Sequence, residues 1–324
     1  MGSDIDLIAA RRAISKFVIR TPLLFAPELS SVARAPVYLK LENLQITGSF
    51  KIRGAASRIM ALTEEQRQRG VVTCSSGNHG KAVAHVAGVC KIPAVICVPD
   101  WVDPVKRSAI ERTGARVFAD QATYDEANAQ AWKVQHQEGM TFIHPFDDPY
   151  VIAGQGTLAL EIQEELPDVT EILCPLSGGG LAGGIAYGLK MVAPGSTVTA
   201  VSAHRASVML ESLNAGKPID LEEEETVASA LLGGIGLDNT YTFNLIKEFV
   251  GRHLRVSEEA IVQAISYALA RLHLVVEGGG AVALAAALAG LWIPTNRKGP
   301  TVIVLSGGNL DPTHLCEILA KVNR

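Results

Sequence analysis

Aromatic residues are scarce in this sequence, since phenylalanine, tryptophan and tyrosine together make up 5% of its 324 residues. Proteins that bind single-stranded nucleic acid stack the bases on exposed aromatic rings, so we expect no such surface here. The basic residues are scattered, the net charge is -4 and the pI is near 6.1. A nucleic-acid backbone requires a concentrated positive surface. The composition therefore predicts no nucleic-acid partner.

Cysteine pairs at metal-binding spacing and a long hydrophobic run are also lacking. The five cysteines show no CxxC spacing, which predicts reduced thiols and no metal site. The most apolar stretch, residues 278–294, opens with glycines and is short for a membrane span, so we predict a core helix. Asp4 and Asp6 precede any apolar run, unlike the start of a secretory signal. We therefore expect a cytoplasmic protein with no membrane partner.

What the chain does contain is an alternation of short β-branched segments with segments of helical periodicity. The predicted strands are residues 37–41, 71–74, 94–98, 115–118, 172–175, 198–201 and 301–305. The predicted helices include residues 51–62, 81–89, 104–113, 124–136 and 154–166. This alternation is typical of parallel sheets with helices on both faces. The length suits about two domains, and because no linker-like tract separates them, we expect one lobe to be inserted in the other.

In such sheets ligands bind beyond the carboxyl ends of the strands, and glycine-rich segments follow several predicted strands here. GSFK (residues 48–51) places a lysine at the start of a helix, where positive charge is disfavoured and a neutral, nucleophilic amine is favoured. An ordinary surface lysine is the alternative. SSGNHG (residues 75–80) combines hydroxyls with helix N-terminal amides, which suits either a carboxylate ligand or a capped turn.

Two later segments have similar features. SGGGLAGG (residues 177–184) would let several amides approach one phosphate group, although a tight turn is the alternative. It matches neither the dinucleotide-binding GxGxxG pattern nor the P-loop pattern. LSGGN (residues 305–309) ends a strand with Ser306, whose hydroxyl can pair with a ring nitrogen or cap a turn.

The order of GSFK, SSGNHG, SGGGLAGG, EGGGA and LSGGN resembles that of the serine/threonine dehydratase family over nearly the whole chain. The Ser-Ser form of the second motif is most similar to the serine racemase branch. The EGGGA segment is similar to hydroxyectoine-utilisation and phenylserine dehydratases. The resemblance implies an α/β fold of the tryptophan synthase β-like type, fold type II of pyridoxal-phosphate (PLP) enzymes. It has two lobes, each with a mainly parallel sheet flanked by helices.

The resemblance also implies a domain division and an assembly. We expect a large PLP-binding domain of residues 1–48 and 147–324, and a small domain of residues 49–146 that closes over the substrate. We expect a homodimer, in line with the frequency of symmetric oligomers. Because the chain ends at Arg324, soon after LSGGN, we expect no C-terminal regulatory domain.

Carried over position by position, the resemblance implies a binding site for pyridoxal 5'-phosphate and an amino acid substrate. Lys51 would hold the cofactor as a Schiff base and take the Cα proton. The other cofactor contacts would be Phe50 against the ring, Asn78 at its phenolic oxygen, the amides of Gly178, Gly179, Gly180 and Leu181 at the phosphate, and Ser306 at the pyridine nitrogen. The substrate carboxylate would be held by Ser75, Asn78 and His79.

The implied reaction is β-elimination from a β-hydroxy amino acid of the threonine/serine type, giving a 2-oxo acid and ammonia. Ser76 matches the second acid/base of serine racemases, so racemisation by Lys51 and Ser76 is an alternative. β-Replacement of the cysteine synthase type is another. Glu277, in EGGGA, is expected near the cofactor or as a helix-capping acid.

Several positions depart from the family pattern. Ser202 and Val208 replace two acidic ligands of a divalent cation, so no metal site is predicted there. Ala127 stands in place of an arginine that contacts acidic substrates, and Ser229 and Gly233 replace polar pocket positions. A second carboxylate on the substrate would require a cationic partner in the pocket, so these changes disfavour β-hydroxyaspartate as the substrate.

Overall fold

The computed structural model describes residues 4–322 and contains a six-stranded and a four-stranded sheet. The ends of the predicted large domain, residues 1–3 and 323–324 with Arg324 among them, lie outside this range. From edge to edge, the large sheet consists of β1 (Leu23–Phe25), β2 (Val37–Leu41), β10 (Thr301–Leu305), β7 (Glu171–Pro175), β8 (Thr197–Ala203) and β9 (Arg252–Val256). Only the β1–β2 pair of this sheet is antiparallel.

The second sheet is wholly parallel and is built from one continuous stretch of chain. Its strand order is β5 (Arg116–Gln121), β4 (Ala94–Pro99), β3 (Val71–Cys74) and β6 (Thr141–Phe142). The predicted α/β class with parallel sheets is therefore confirmed. The domain boundaries given above stay a prediction.

Helices connect and cover both sheets. In chain order they are α1 (Leu7–Ile14), α2 (Pro27–Ala33), α3 (Lys51–Met60), α4 (Glu64–Arg69), α5 (Asn78–Cys90), α6 (Pro104–Glu111), α7 (Tyr124–Glu138), α8 (Pro149–Glu165), α9 (Gly180–Val192), α10 (Val208–Ala215), α11 (Thr242–Phe249), α12 (Glu258–Leu272), α13 (Gly278–Leu288) and α14 (Pro312–Val322). Short 3-10 helices cover Glu42–Leu44 and Ser229–Leu231.

The apolar stretch that follows Glu277 forms α13, a core helix as predicted. Its residues from Gly278 to Ala287 are all buried, and the helix packs over the large sheet. Within residues 4–322 no helix has the length and apolar character needed to cross a membrane.

Helix α3 packs tightly on α8 through paired glycines. A Cβ atom on Gly154 would lie 2.4 Å from the carbonyl oxygen of Arg53, and one on Gly54 would lie 2.3 Å from Nε2 of Gln155. Both distances are far below van der Waals contact, so only glycine permits this approach of the two helices. The packing fixes the helix whose first residue is Lys51.

Candidate functional site

Four of the glycine-rich segments meet at the carboxyl end of β10. The amide of Phe50 donates to the carbonyl of Ser306 over 3.0 Å, and Ser49 forms an isolated bridge with Gly307. The amide of Glu277 donates to the Gly307 carbonyl over 3.0 Å, which brings EGGGA to the same place. The Asn78 side chain of SSGNHG then contacts the carboxylate of Glu277. Segments far apart in the sequence therefore surround one cleft.

Lys51 is the first residue of α3 and directly follows Phe50, whose amide contacts Ser306. Nζ donates a hydrogen bond to the carbonyl oxygen of Pro145 over 2.8 Å. Burial lowers the pKa of Lys51 to about 8, although the negative charge of Glu277 opposes the shift. An amine with this pKa is partly neutral near physiological pH, as a nucleophile or a general base must be.

The turn that carries Pro145 is a site element which the sequence interpretation missed. Nδ1 of His144 accepts hydrogen bonds from the amides of Phe146 and Asp147, over 3.2 and 2.7 Å. The Asp147 carboxylate accepts from three amides at the start of α11, among them that of Thr242. The only sequence signal is the string HPFDD after a short strand, in which Asp148 caps α8.

The glycine segment after β7 opens α9. Gly179 is its N-cap with φ +86°, a left-handed conformation that favours glycine. The first bond within the helix runs from the Gly183 amide to the Gly179 carbonyl, so the preceding amides point out of the helix end. A Cβ atom on Gly178 would lie 2.3 Å from the ring of Phe146. The segment thus offers amides at a helix N-terminus, the arrangement that binds phosphate groups.

A chain of side-chain hydrogen bonds crosses the cleft from Glu277 to Lys81. Nδ2 of Asn78 donates to Glu277 over 2.5 Å, and Nδ2 of Asn309 donates to Oδ1 of Asn78 over 2.6 Å. The Lys81 amine donates to Oδ1 of Asn309 over 2.7 Å. The sequence did not predict a role for Asn309 or Lys81, because a motif does not show which of its side chains will form hydrogen bonds with each other in the folded protein.

The residues expected at the substrate carboxylate differ in their surroundings. Ser75 and Ser76 are half-buried, and Oγ of Ser75 accepts from the Gly77 amide over 3.3 Å. His79 is buried, its Nε2 donates to the carbonyl of Ile143 over 2.9 Å, and burial lowers its pKa to about 3. A neutral imidazole turned toward Ile143 brings no positive charge to a carboxylate.

The remaining expected cofactor residues also border the cleft. Ser306 is buried at the end of β10, and the Lys51 amine lies 5.4 Å from the centre of the Phe50 ring. The hydroxyl of Ser49 is buried without a hydrogen-bond partner among the described residues. A buried polar atom of this kind calls for a ligand or water nearby.

The positions that depart from the family pattern lie in varied surroundings. Ser202 is buried and donates to the Leu176 carbonyl over 2.9 Å, and Val208 is buried at the start of α10. Across the described chain no group of three or more His, Cys, Asp or Glu residues is placed to hold a metal ion. Ala127 packs in the hydrophobic cluster around β3 and β4, so it adds nothing to the cleft. Ser229 lines a cavity of about 310 Å³ together with Glu277 and other residues.

These features fit pyridoxal phosphate. An amine of lowered pKa lies beside the Pro145 carbonyl, the glycine segment with amides at a helix end packs against the neighbouring Phe146, and Ser49, two residues before the lysine, has an unpaired buried hydroxyl. The donor set suits a group that carries an aldehyde, a ring and a phosphate.

Comparison with known proteins places the chain in a family. The family model described as pyridoxal-phosphate dependent enzyme matches residues 14–307. An L-threonine ammonia-lyase of Thermotoga maritima is 41% identical over 317 residues, which cover 98% of this chain and 78% of that protein.

Solved structures agree with this match. Maize serine racemase superposes with a TM-score of 0.92 at 33% identity, covering 100% of this chain and 98% of the other. The processed form of threonine deaminase isoform 2 from Solanum lycopersicum gives 0.91 at 31% identity, covering 98% and 87%. The chain therefore belongs to the pyridoxal-phosphate dependent enzymes, as a member of their serine/threonine dehydratase group.

Proposed function

We propose that this protein is an ammonia-lyase that removes water and then ammonia from a β-hydroxy amino acid of the threonine/serine type. The observation that carries the proposal is the half-buried Lys51 at the start of α3, whose amine donates to the Pro145 carbonyl over 2.8 Å beside the glycine-rich segments. Desolvation lowers the pKa of this amine to about 8. The similarity to the L-threonine ammonia-lyase of Thermotoga maritima, at 41% identity, supports the reaction class.

Pyridoxal phosphate, when bound, supplies an aldehyde for amine capture and a ring that withdraws electrons from Cα. The amides of Gly178, Gly179, Gly180 and Leu181 would hold its phosphate at the start of α9. Phe50 and Asn78 would contact the ring, and Ser306 would face its nitrogen. A serine there is neutral and does not force the nitrogen to stay protonated as a carboxylate would, which favours elimination over transamination.

The chain's own groups would then perform the proton transfers. Lys51, once displaced by the substrate amine, would take the Cα proton, since its lowered pKa leaves a useful fraction neutral. The same amine can return a proton to the departing hydroxyl group. Ser75 and the amides at the start of α5 would hold the substrate carboxylate, as helix N-termini favour anions.

Racemisation is the second candidate, and the similarity to maize serine racemase at a TM-score of 0.92 favours it. It would need an acid/base on the face of the substrate opposite Lys51. Ser76, in the half-buried SSGNHG segment, is the residue we assign to that role.

The proposal is tested with purified wild-type protein, Lys51→Ala and the matched control Lys133→Ala, whose lysine lies exposed on α7. Each is loaded with pyridoxal phosphate, examined for visible absorbance of the bound cofactor, and assayed for 2-oxo acid from threonine, serine, phenylserine and hydroxyaspartate. We expect the band and the product in wild type and Lys133→Ala only. Absence of the band from wild type would refute the proposal.

The same substrates are examined by chiral chromatography. Inversion at Cα without 2-oxo acid, lost in Ser76→Ala, would establish the racemase instead. Product that forms only when a thiol or sulfide is added would indicate β-replacement.

We further propose a homodimer in the cytoplasm, with residues 49–146 closing as a small domain over the bound substrate. Light scattering tests the assembly, and cell fractionation tests the location. Small-angle scattering with and without a substrate tests the closure.

A further inference from the structure

Lys81 lies outside the set of residues assigned to the reaction, yet it ends the hydrogen-bond chain that begins at Glu277. It lies on α5, is half-buried and directs its amine at Oδ1 of Asn309 over 2.7 Å. Burial lowers its pKa, while the charge of Glu277 opposes that shift. The negative charge of Glu277 therefore raises the pKa of Lys81, as it raises that of Lys51.

The groups at the two ends of this hydrogen-bond chain fix which atom donates in each of its hydrogen bonds. An ammonium group has donors and no acceptor, so it must meet the oxygen of the Asn309 amide. Nδ2 of Asn309 is then left to donate, and it does so to Oδ1 of Asn78 over 2.6 Å and to the Thr47 carbonyl over 2.8 Å. Asn78 must therefore turn its own Nδ2 toward Glu277, which only accepts.

Close packing prevents these side chains from drifting away. A Cβ atom on Gly48 would lie 2.4 Å from Oδ1 of Asn309, and one on Gly307 would lie 2.2 Å from Oε1 of Glu277. The two glycines thus leave only the room that the amide and the carboxylate fill. An amide held in this way can still rotate by half a turn about its last bond, so its orientation depends on its hydrogen-bond partners.

We propose that Lys81 is a positioning residue which, through Asn309, fixes Asn78 as a hydrogen-bond donor toward the ring oxygen of the cofactor. The inference rests on the proposed function, in which Asn78 contacts that oxygen. Glu277 and the Thr47 carbonyl set the direction of these hydrogen bonds, and Lys81 holds the oxygen of Asn309 in place. Without a donor at position 81, Asn309 loses this partner and holds Asn78 less firmly. Asn78 would then donate a weaker hydrogen bond to the ring oxygen, which disfavours the ionised form of that oxygen.

The test uses the cofactor-loaded protein at neutral pH and the ratio of its two visible and near-ultraviolet absorbance bands. The long-wavelength band reports the ionised ring oxygen and the short-wavelength band the protonated one. We expect Lys81→Met to lower this ratio about three- to tenfold, the scale of one ordinary hydrogen bond in its net contribution. Lys81→Arg, which also only donates, should keep the ratio near that of wild type.

A double-mutant cycle separates this route from a direct effect of the lysine charge. In an Asn78→Ala background Lys81→Met should change the ratio no further, because both substitutions remove the same donor. An undiminished shift in that background would overturn the proposal, since it would show action through space. An unchanged ratio in Lys81→Met, or equal losses in Lys81→Met and Lys81→Arg, would overturn it as well.

Controls distinguish this failure from failure of the proposed function. If wild type shows no cofactor band, the proposed function is disproved. If the bands appear but their ratio is the same in wild type and in the position 81 variants, only this inference is disproved. The exposed Lys133→Met serves as the matched substitution, and thermal unfolding of each variant confirms that it is folded. Should Lys81→Met not fold, Lys81→Gln replaces it, and the ability of glutamine to both donate and accept predicts an intermediate ratio.

Discussion

The half-buried Lys51 and the buried His79 are two bases close enough to interact by charge, and desolvation disfavours the charged form of each. The pKa of Lys51 falls to about 8 and that of His79 to about 3. Lys51 keeps the nearby Glu277 as a counter-charge, while the nearby Lys51 charge lowers the His79 pKa further. The same physical cause therefore leaves one group able to exchange protons near neutral pH and the other permanently neutral there.

Lys51 should react with an amine-acylating reagent at lower pH than other lysines. In the cofactor-free protein we expect half-maximal labelling of Lys51 near pH 8, as burial dictates. The exposed Lys133 serves as the reference site for labelling in the same protein. Glu277→Gln removes the charge that raises the Lys51 pKa, so its midpoint should move below that of wild type. Mass spectrometry of labelled peptides measures both sites in one sample.

The exposed Glu248→Gln on α11 is the matched control for this titration and should leave the Lys51 midpoint in place. A Lys51 midpoint near its unshifted value of 10.5 would contradict the assigned burial effect.

His79 should make the fold sensitive to mild acid. Its pKa is about 3 in the folded protein against 6.5 when exposed, so between these values the unfolded chain binds more protons. The free energy of unfolding therefore rises with pH across this window. The contribution of His79 to it is fully present above pH 6.5 and is lost as the pH falls toward 3. One such group contributes a slope of at most about 1.4 kcal/mol per pH unit.

His79→Gln keeps a donor for the Ile143 carbonyl but cannot be protonated. Urea unfolding between pH 4 and pH 7 should show a shallower pH dependence in this variant, on the order of 1 kcal/mol per pH unit less than in wild type. His136→Gln, at an exposed position on α7, should retain the wild-type slope. Equal slopes in all three proteins would count against the buried neutral imidazole.

At the scale of elements, α9 and the glycines before it are the site that we propose for the cofactor phosphate. Gly179→Ala forces a left-handed conformation with φ +86° on a residue with a Cβ, which costs about 1–2 kcal/mol. The added atom would also lie 2.9 Å from Cε of Met209. We expect the affinity for pyridoxal phosphate to fall about tenfold, measured by equilibrium dialysis.

Pyridoxal without its phosphate supplies the control for this variant, because its affinity should change little. Gly216→Ala, also at positive φ but at the end of α10, carries the same backbone strain away from the site. Equal losses for both ligands in Gly179→Ala would mean that the glycines do not hold the phosphate.

The elements that could be predicted from the sequence share one property. Strands β3 and β10 have the predicted bounds because they are continuous β-branched or apolar runs buried in the sheets. Strand β2 also has the predicted bounds, although Lys40 interrupts its apolar run. Strands β1, β6 and β9 were missed. The first two have only three and two residues, and β9 is half-buried with charged side chains, so none of them shows a clear pattern.

Site geometry was harder to predict than secondary structure. The glycine-rich segments pointed to the cleft because small residues after strands are visible in sequence. The pairing of Lys51 with Pro145, or of Lys81 with Asn309, joins residues that are 94 and 228 positions apart. Such contacts depend on sheet order and packing, which a single sequence does not encode locally.

Across the whole molecule, a buried cluster of charges joins α3 to the large sheet. The guanidinium of the fully buried Arg53 donates to both oxygens of Glu42, each over 2.8 Å, and to both of Glu161, over 2.7 and 3.0 Å. Glu42 follows β2, and the buried Lys40 on that strand contacts Glu161 over 3.0 Å. The cluster lies two residues along α3 from Lys51, so it fixes the amine relative to the sheet.

Removing one charge from this cluster should destabilise the protein strongly. Glu42→Gln leaves Arg53 buried with part of its charge unmatched, and breaking a buried ion pair costs about 3–5 kcal/mol. Glu164→Gln is the matched control, because Glu164 pairs with Arg11 and Arg20 at the surface, where a pair contributes about 0–1 kcal/mol. Urea unfolding compares the two variants with wild type. Losses within about 1 kcal/mol of each other would show that the buried cluster has no special role in stability. A larger loss in Glu42→Gln, with slower recovery of the cofactor band on reloading, would show that the cluster both stabilises the fold and positions Lys51.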